Sequence, residues 1–433
     1  MYINNYQSKI VEYIIFNISL LLIIIMSFYI YIKKFVPVIP YVKDALILFI
    51  LPLLFLFILA SSLKIKRPNF LDRIIFVLFI YLLVQFFRTG YELSYAAAYS
   101  GFRLTFMYIF LYFLYRSISN QTYLKKIDKA FFVILLCGIC ITFLESLFIK
   151  TGIVSVETLG KVMVVNRYSW QEYARVYGIT GSVHITGVYN CIFFSILLFG
   201  QHLKNINRKY SSFFIGKIKS IKSKKLLFIS FFAVIISTSR TAWTCMLLIL
   251  LIFSISSHKF DFKKYFSIII VIVIGAFFPF IYFGSDIYNT YFTFLFAYSG
   301  LVMDFLTPLF DSFWFGNGYH VSQTAVGVDI NSLSRNIMIY TDFFFLDIFS
   351  SLGIIGIILY FLLFVIIPGY ILISKKYDYE IKVIAAPLVV VGIAFGHYSP
   401  LHNTTVNVII WYLFASLSNM LTERKYLSCK MIS

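Results

Sequence analysis

The chain opens on "IVEYIIFNISLLLIIIMSFYIYI", Ile10 to Ile32, with Glu12 as its only charge. A run of roughly 17–25 apolar residues spans the ~30 Å hydrocarbon core of a bilayer as a helix. Inside hydrocarbon every backbone polar group must be satisfied within the protein, which restricts such runs to helices or closed barrels. Comparable runs recur along all 433 residues, and only 13% of residues are charged. An ordinary soluble domain has about a quarter. The first run is too long for a cleavable signal and lacks a small-residue cleavage site, so it is expected to remain as a span.

The expected fold is an all-α polytopic membrane protein of about twelve transmembrane helices, forming a single membrane domain over residues 1–433. The crossings are predicted at 11–32, 45–63, 72–87, 99–115, 130–149, 182–203, 225–238, 241–257, 265–283, 342–367, 383–398 and 404–421. The net charge of +19 does not point to nucleic acid, because 26 of the 37 Lys and Arg fall in loops on one side of this arrangement. That asymmetry is the positive-inside signature and puts both termini in the cytoplasm. Residues 226–257 are almost continuously apolar, interrupted at Ser237–Arg240. As one helix of about 48 Å they would overshoot the membrane, so two crossings joined by a tight outer turn are expected. Cys137 and Cys140 lie in the apolar run "FFVILLCGICITF" and read as small residues in a helix interface.

Two outer loops stand out, at 150–181 and 284–341. Loops this long are usually functional or disordered, and both are too rich in aromatic and aliphatic residues for disorder. The first ends in "RYSWQEYARVYGITGSVH", Arg167 to His184, dense in groups that are costly near a membrane. Lys33, Lys34 and Lys43 flank the first outer loop and read as snorkelling interface anchors. The other basic residues away from the inner side are Arg88, Arg103, Lys150, Lys161, Arg167, Arg175, Arg240 and Arg335. Ionisable groups at membrane depth usually face a cavity, and a guanidinium can grip phosphate oxygens through two parallel hydrogen bonds. Several converging arginines suit a diphosphate at the outer surface.

Acids and histidines complete the set. The early outer loop "KKFVPVIPYVKD" holds only Asp44, and Asp378 and Glu380 read as a solvated inner-loop pair, so no metal site or cofactor is indicated. Arginines would then stabilise leaving-group charge. His320 follows "FGNG", whose Gly316 and Gly318 permit a tight turn, and is the best candidate for a base among the histidines. Asp342 opens the tenth span as a helix cap or a base, and Asp347, a turn deeper, needs a polar partner. His184, His397 and His402 fall on the outer side, where they line a pocket or pack at helix ends.

On these residues the chain resembles the O-antigen/polysaccharide polymerase (Wzy) family, within the wider group that includes O-antigen ligases. "RYSWQEYARVYG" fits an arginine–ten residues–glycine pattern, Arg167 to Gly178, with Arg175-x-x-Gly178 as a second element. "STSRTAW" resembles a Ser–Arg element heading an apolar helix, and "GNG" followed by "LDIFSSLGIIG" resembles the later loop and its Gly–Ile–Ile–Gly helix. Thr341-Asp342 stands where ligases place His–Asn, which favours polymerase over ligase; Arg335 has Leu346, not glycine, at the matching spacing.

The resemblance implies metal-independent glycosyl transfer between two undecaprenyl-diphosphate-linked oligosaccharides at the outer face of a bacterial inner membrane. It implies diphosphate binding by Arg88, Arg103, Arg167, Arg240 and Arg335 around the Gly178 turn, with His184 lining the pocket. Arg175, His320 and Asp342 are the expected catalytic groups. A chain-length regulator and a flippase are expected partners on the same ground. The rival readings are an O-antigen-type ligase, and a transporter or flippase, which would concentrate its charges near the membrane midplane.

Overall fold

The computed structural model describes residues 2–60, 68–150, 178–180, 182–201, 203, 223–237, 239–256, 312–319, 344–395, 401 and 403–430. These residues form helices and turns, with no strand among them. In chain order the helices are α1 (Tyr2–Ser27), α2 (Tyr29–Phe35), α3 (Ile39–Ala60), α4 (Phe70–Glu92), α5 (Tyr95–Thr105), α6 (Ile109–Ser117) and α7 (Gln121–Lys150). Then follow α8 (Val183–Gly200), α9 (Ser223–Ile236), α10 (Arg240–Ser256), α11 (Phe344–Phe361), α12 (Ile367–Ile373), α13 (Tyr379–Ala394) and α14 (Thr404–Lys430). A π-helical turn, Leu362–Ile366, joins α11 to α12.

Among the described residues, five stretches are long and apolar enough to cross a membrane: Lys9–Ser27, Phe70–Glu92, Gln121–Leu147, Asp347–Ile373 and Thr404–Arg424. This is a membrane protein by that measure. Helices stand at eleven of the twelve predicted places, and the other, 265–283, lies outside the described residues. The chain breaks between α9 and α10 where "STSR" predicts a turn.

Helix α4 shows how a span is divided between neighbours and lipid. At 1.5 Å per residue its 23 residues run about 34 Å. Leu71, Ile75, Leu78, Leu82, Gln85 and Thr89 form its buried face. Phe76, Ile80, Val84 and Phe87 are exposed on the other side. Helices α8 and α13 are apolar over most of their length, without a polar face, and almost wholly buried. They pack on each other at the centre, with α9 and α10 against α8 and α14 against α13. Because lipid is as apolar as leucine, close packing and hydrogen bonds hold such a bundle. The "CGIC" turn of α7 illustrates this. A Cβ at Gly138 would lie 2.2 Å from the Tyr189 ring, and Tyr189 donates to the Ile134 carbonyl at 2.7 Å.

Two predicted spans are not continuous helices. The crossing at 99–115 breaks at Phe106–Tyr108 into α5 and α6. Bonds from Ile109, Phe110 and Leu111 to the carbonyls three residues back keep that backbone satisfied. Helix α11 is kinked at Gly353 (φ 66°, ψ −166°). The 312–319 loop fills the kink, where Ile354 N–H donates to Phe313 O (2.9 Å), Asn317 N–H to Ser350 O (2.6 Å) and Gly318 N–H to Ser351 O (3.2 Å).

One end of the bundle is locked by a polar network. Asn69 and Asp72 form a capping box at the start of α4. Arg116 grips both Asp72 oxygens (2.9 and 3.1 Å) and reaches Asn419 and Thr422 of α14. Glu380 corrects the expectation of a solvated pair with Asp378. Only 2% of it is exposed, because the first turn of α13 is already inside the bundle.

Candidate functional site

The opposite end of the bundle gathers three polar clusters. The first contains Lys43 and Asp44 of α3, Arg103 of α5 and Tyr108 from the α5–α6 break. Lys43 Nζ donates to Tyr108 Oη at 2.9 Å and lies 3.3 Å from Asp44 Oδ1. Arg103 Nη1 lies 3.3 Å from Asp44 Oδ2. Tyr108 Oη also shares a hydrogen bond with Thr404 Oγ1, 3.0 Å away at the start of α14. The Lys43 ammonium also sits over the rings of Tyr29 (5.2 Å) and Tyr108 (5.3 Å). Such contacts contribute about 0.5–2 kcal/mol each, more when dry.

This environment corrects the reading of Lys43 as a snorkelling anchor. Its side chain is 7% exposed and turned inward, because the α5–α6 break presents a hydroxyl to it. Lys43 lies ahead of the predicted span 45–63. Burial works against its charge, and Tyr108 and Asp44 together outweigh burial and hold the ammonium above the usual lysine range.

The second cluster fixes the turn that ends the first large loop. Gly178 has φ +56°, and a Cβ there would meet Thr186 Cγ2 at 2.5 Å, so glycine is needed. Its N–H donates to Glu145 Oε2 at 2.7 Å, and Tyr31 donates to Glu145 Oε1 at 3.0 Å. Asn403 Nδ2 donates to Thr180 O at 2.9 Å. Asn403 adjoins Thr404, and Tyr31 is two residues from Tyr29, so this cluster is contiguous with the first. Glu145→Gln leaves one acceptor oxygen for two donors. Stranding a donor costs about 1–3 kcal/mol. We expect a melting midpoint several degrees lower for the full-length protein in detergent, with Tyr31→Phe losing less. An unchanged midpoint would remove Glu145 as the anchor of this turn.

The third cluster seats the 312–319 loop. Arg88 Nη2 donates to Gly316 O (2.7 Å) and Nη1 to Phe315 O (3.1 Å), while Nε pairs with Glu92 (2.9 Å). Tyr319 N–H donates to Thr89 Oγ1 (3.2 Å), and the Tyr319 hydroxyl donates to the Leu82 carbonyl. The Tyr319 ring packs on Phe102 of α5 and Phe106 of the α5–α6 break, which lie on either side of Arg103 in the chain.

The three clusters place the sequence candidates unequally. Arg88 holds the loop in place with most of its donors. Arg103 is a third exposed, and among the described residues it ion-pairs only with Asp44, through Nη1, which leaves Nε and Nη2 uncommitted. Gly178 makes the anticipated turn. His184 and Arg240 lie in the first turns of α8 and α10, helices that meet where a Cβ on Gly187 would strike Ser239 and Ala242. Arg167, Arg175, Arg335, His320 and Asp342 lie outside the described residues, as do His397 and His402. Two of these adjoin described residues: His320 follows Tyr319, and His402 lies between Leu401 and Asn403. Arg175 lies three residues before Gly178. Lys43, Tyr108, Glu145 and Thr404 were absent from the sequence candidates. A buried-site signal was present only in the adjacency of Lys43 to the one acid of its loop. Among the described residues no three His, Cys, Asp or Glu side chains gather to hold a metal ion.

No family model matches the chain, and neither a curated protein nor a solved structure matches it.

Proposed function

We propose that this protein is a polysaccharide polymerase of the Wzy type, joining undecaprenyl-diphosphate-linked oligosaccharide repeats at the outer face of a bacterial inner membrane. The observation that carries the reading is Arg103. It is a guanidinium with uncommitted donors, backed by a buried lysine, at the bundle end where the Gly178 turn and the 312–319 loop dock. The positive-inside count assigns that end to the outer side.

In the proposed reaction a hydroxyl on one lipid-linked repeat attacks the anomeric carbon of another. The new C–O bond forms as the bond from the anomeric carbon to the diphosphate oxygen breaks, and its electron pair leaves on that oxygen. His320 or Asp342 takes the hydroxyl proton at hydrogen-bond reach. Arg103, Arg167, Arg175, Arg240 and Arg335 stabilise the charge that develops on the leaving diphosphate. Arg88 acts behind them by fixing the loop that leads to His320.

The test is reconstitution of the full-length protein with lipid-linked repeats. Longer glycans and released undecaprenyl diphosphate are the expected products. Movement of repeats across the bilayer without that release would establish a transporter instead. Arg175→Lys keeps the charge and loses the planar fork. Each charged hydrogen bond contributes about 1.5–3 kcal/mol, so the rate should fall roughly 10–100-fold and long products should disappear. A wild-type length distribution would remove Arg175 from the diphosphate clamp.

A further inference from the structure

We infer that Lys43, Asp44 and Arg103 form a binding site for one phosphoryl group at the membrane surface, in which Asp44 orients Arg103 and Lys43 keeps it from being neutralised. The identity of the phosphorylated ligand as a polyprenyl diphosphate rests on the function proposed above, whereas the anion site does not.

The argument is one of charge and access. Asp44 is 5% exposed and meets Lys43 through one oxygen and Arg103 through the other. One carboxylate between two cations leaves a surplus of one positive charge among the described residues. Desolvated charge is costly unless it is paired. Lys43 is enclosed by Tyr108, Asp44 and two aromatic faces, so it cannot meet an incoming ligand. The surplus is therefore displayed at Arg103, whose side chain is 33% exposed. Its edge at Nε and Nη2, which makes no hydrogen bond or ion pair among the described residues, presents parallel donors matched to two oxygens of a phosphoryl group. Tyr99 lies one helical turn before Arg103 on the same face of α5.

Arg88 and Arg116 show what a structural arginine looks like in this bundle. Arg88 is bound to two carbonyls, Gln85 and Glu92, and Arg116 to Asp72, Asn419 and Thr422. Arg103 has no comparable set of partners among the described residues. Lys43 and Asp44 are positioning residues in this arrangement, and Arg103 is the contact residue.

The test measures binding without turnover. Full-length protein in phosphatidylcholine nanodiscs is titrated with farnesyl diphosphate in a calorimeter. Arg103→Gln should weaken binding at least tenfold, and Lys43→Met about tenfold. Asp44→Asn raises the local charge and should tighten binding severalfold, whereas a merely structural Asp44 would yield weaker binding or a lower melting point. If Lys43→Met fails to fold, Arg103→Gln and Asp44→Asn decide the question.

Competition by inorganic diphosphate supports recognition of the phosphate itself. Discs containing phosphatidylglycerol identify a bulk lipid as the source if they weaken farnesyl diphosphate binding in the wild type and not in Arg103→Gln. Equal affinities for wild type, Arg103→Gln and Asp44→Asn overturn the site. Phosphate binding that depends on Arg103, without polymerisation of lipid-linked repeats, overturns the function and leaves the site standing.

Discussion

Arg116→Ala should cost the full-length protein about 3–5 kcal/mol, because it strands a buried carboxylate. The Arg116 and Asp72 side chains are 10% and 13% exposed and meet through two hydrogen bonds. The same guanidinium bonds Asn419 (2.7 Å) and Thr422 (2.9 Å) of α14, and Ser418 donates to Asp72 at 2.7 Å. Removing Arg116 therefore unfastens α4, α6 and α14 together. Thermal unfolding in detergent is the measurement. The double variant Asp72→Leu/Arg116→Met should recover much of the loss, since replacing both members of a buried pair with apolar groups is often neutral. An Arg116→Ala protein that melts like the wild type would show that the network contributes specificity and no stability. The variant should also lower any activity, because α4 carries Arg88 and α14 begins at Thr404.

Gly353→Ala is the second large effect, at about 3 kcal/mol or more. Gly353 adopts φ 66° and ψ −166°, a region essentially closed to other residues and costing about 1–3 kcal/mol when forced. A Cβ there would also lie 2.4 Å from Trp314 O and 2.6 Å from Gly316 N. Both are backbone atoms, so the 312–319 loop must move and lose the three backbone hydrogen bonds that seat it. Gly369→Ala is the internal control. Nothing lies within 4 Å of a Cβ at that position, so it should be neutral or slightly stabilising. Under the proposed function, Gly353→Ala should reduce polymer synthesis even below its lowered melting point, because the displaced loop leads into His320. A Gly353→Ala protein with the stability of the Gly369→Ala control would remove the kink as the loop's seat.

The legibility of this protein in its sequence varied with how local each feature is. Apolar runs located helices at eleven of twelve places, since a span must satisfy its backbone within its own segment. The α9–α10 break was readable because "STSR" is polar and one continuous helix would be too long. The α5–α6 break was not, because no proline or glycine marks Phe106–Tyr108. Gly353 and Gly356 look alike in "LGIIG", yet only Gly353 carries the positive φ, imposed by the loop packed against it.

The sequence by itself determined a helical membrane protein and a glycine at the Gly178 turn. Length, hydropathy and charge are properties of segments, and segments can be read one at a time. Only the tertiary structure decided what each charged group does. Arg88 and Arg103 are the same residue type at similar helix ends, but Arg88 meets two carbonyls of a docked loop while Arg103 shares Asp44 with a buried lysine. Those partners lie on other helices, far away in the chain, and a side chain's role near a membrane depends on which groups reach its donors first.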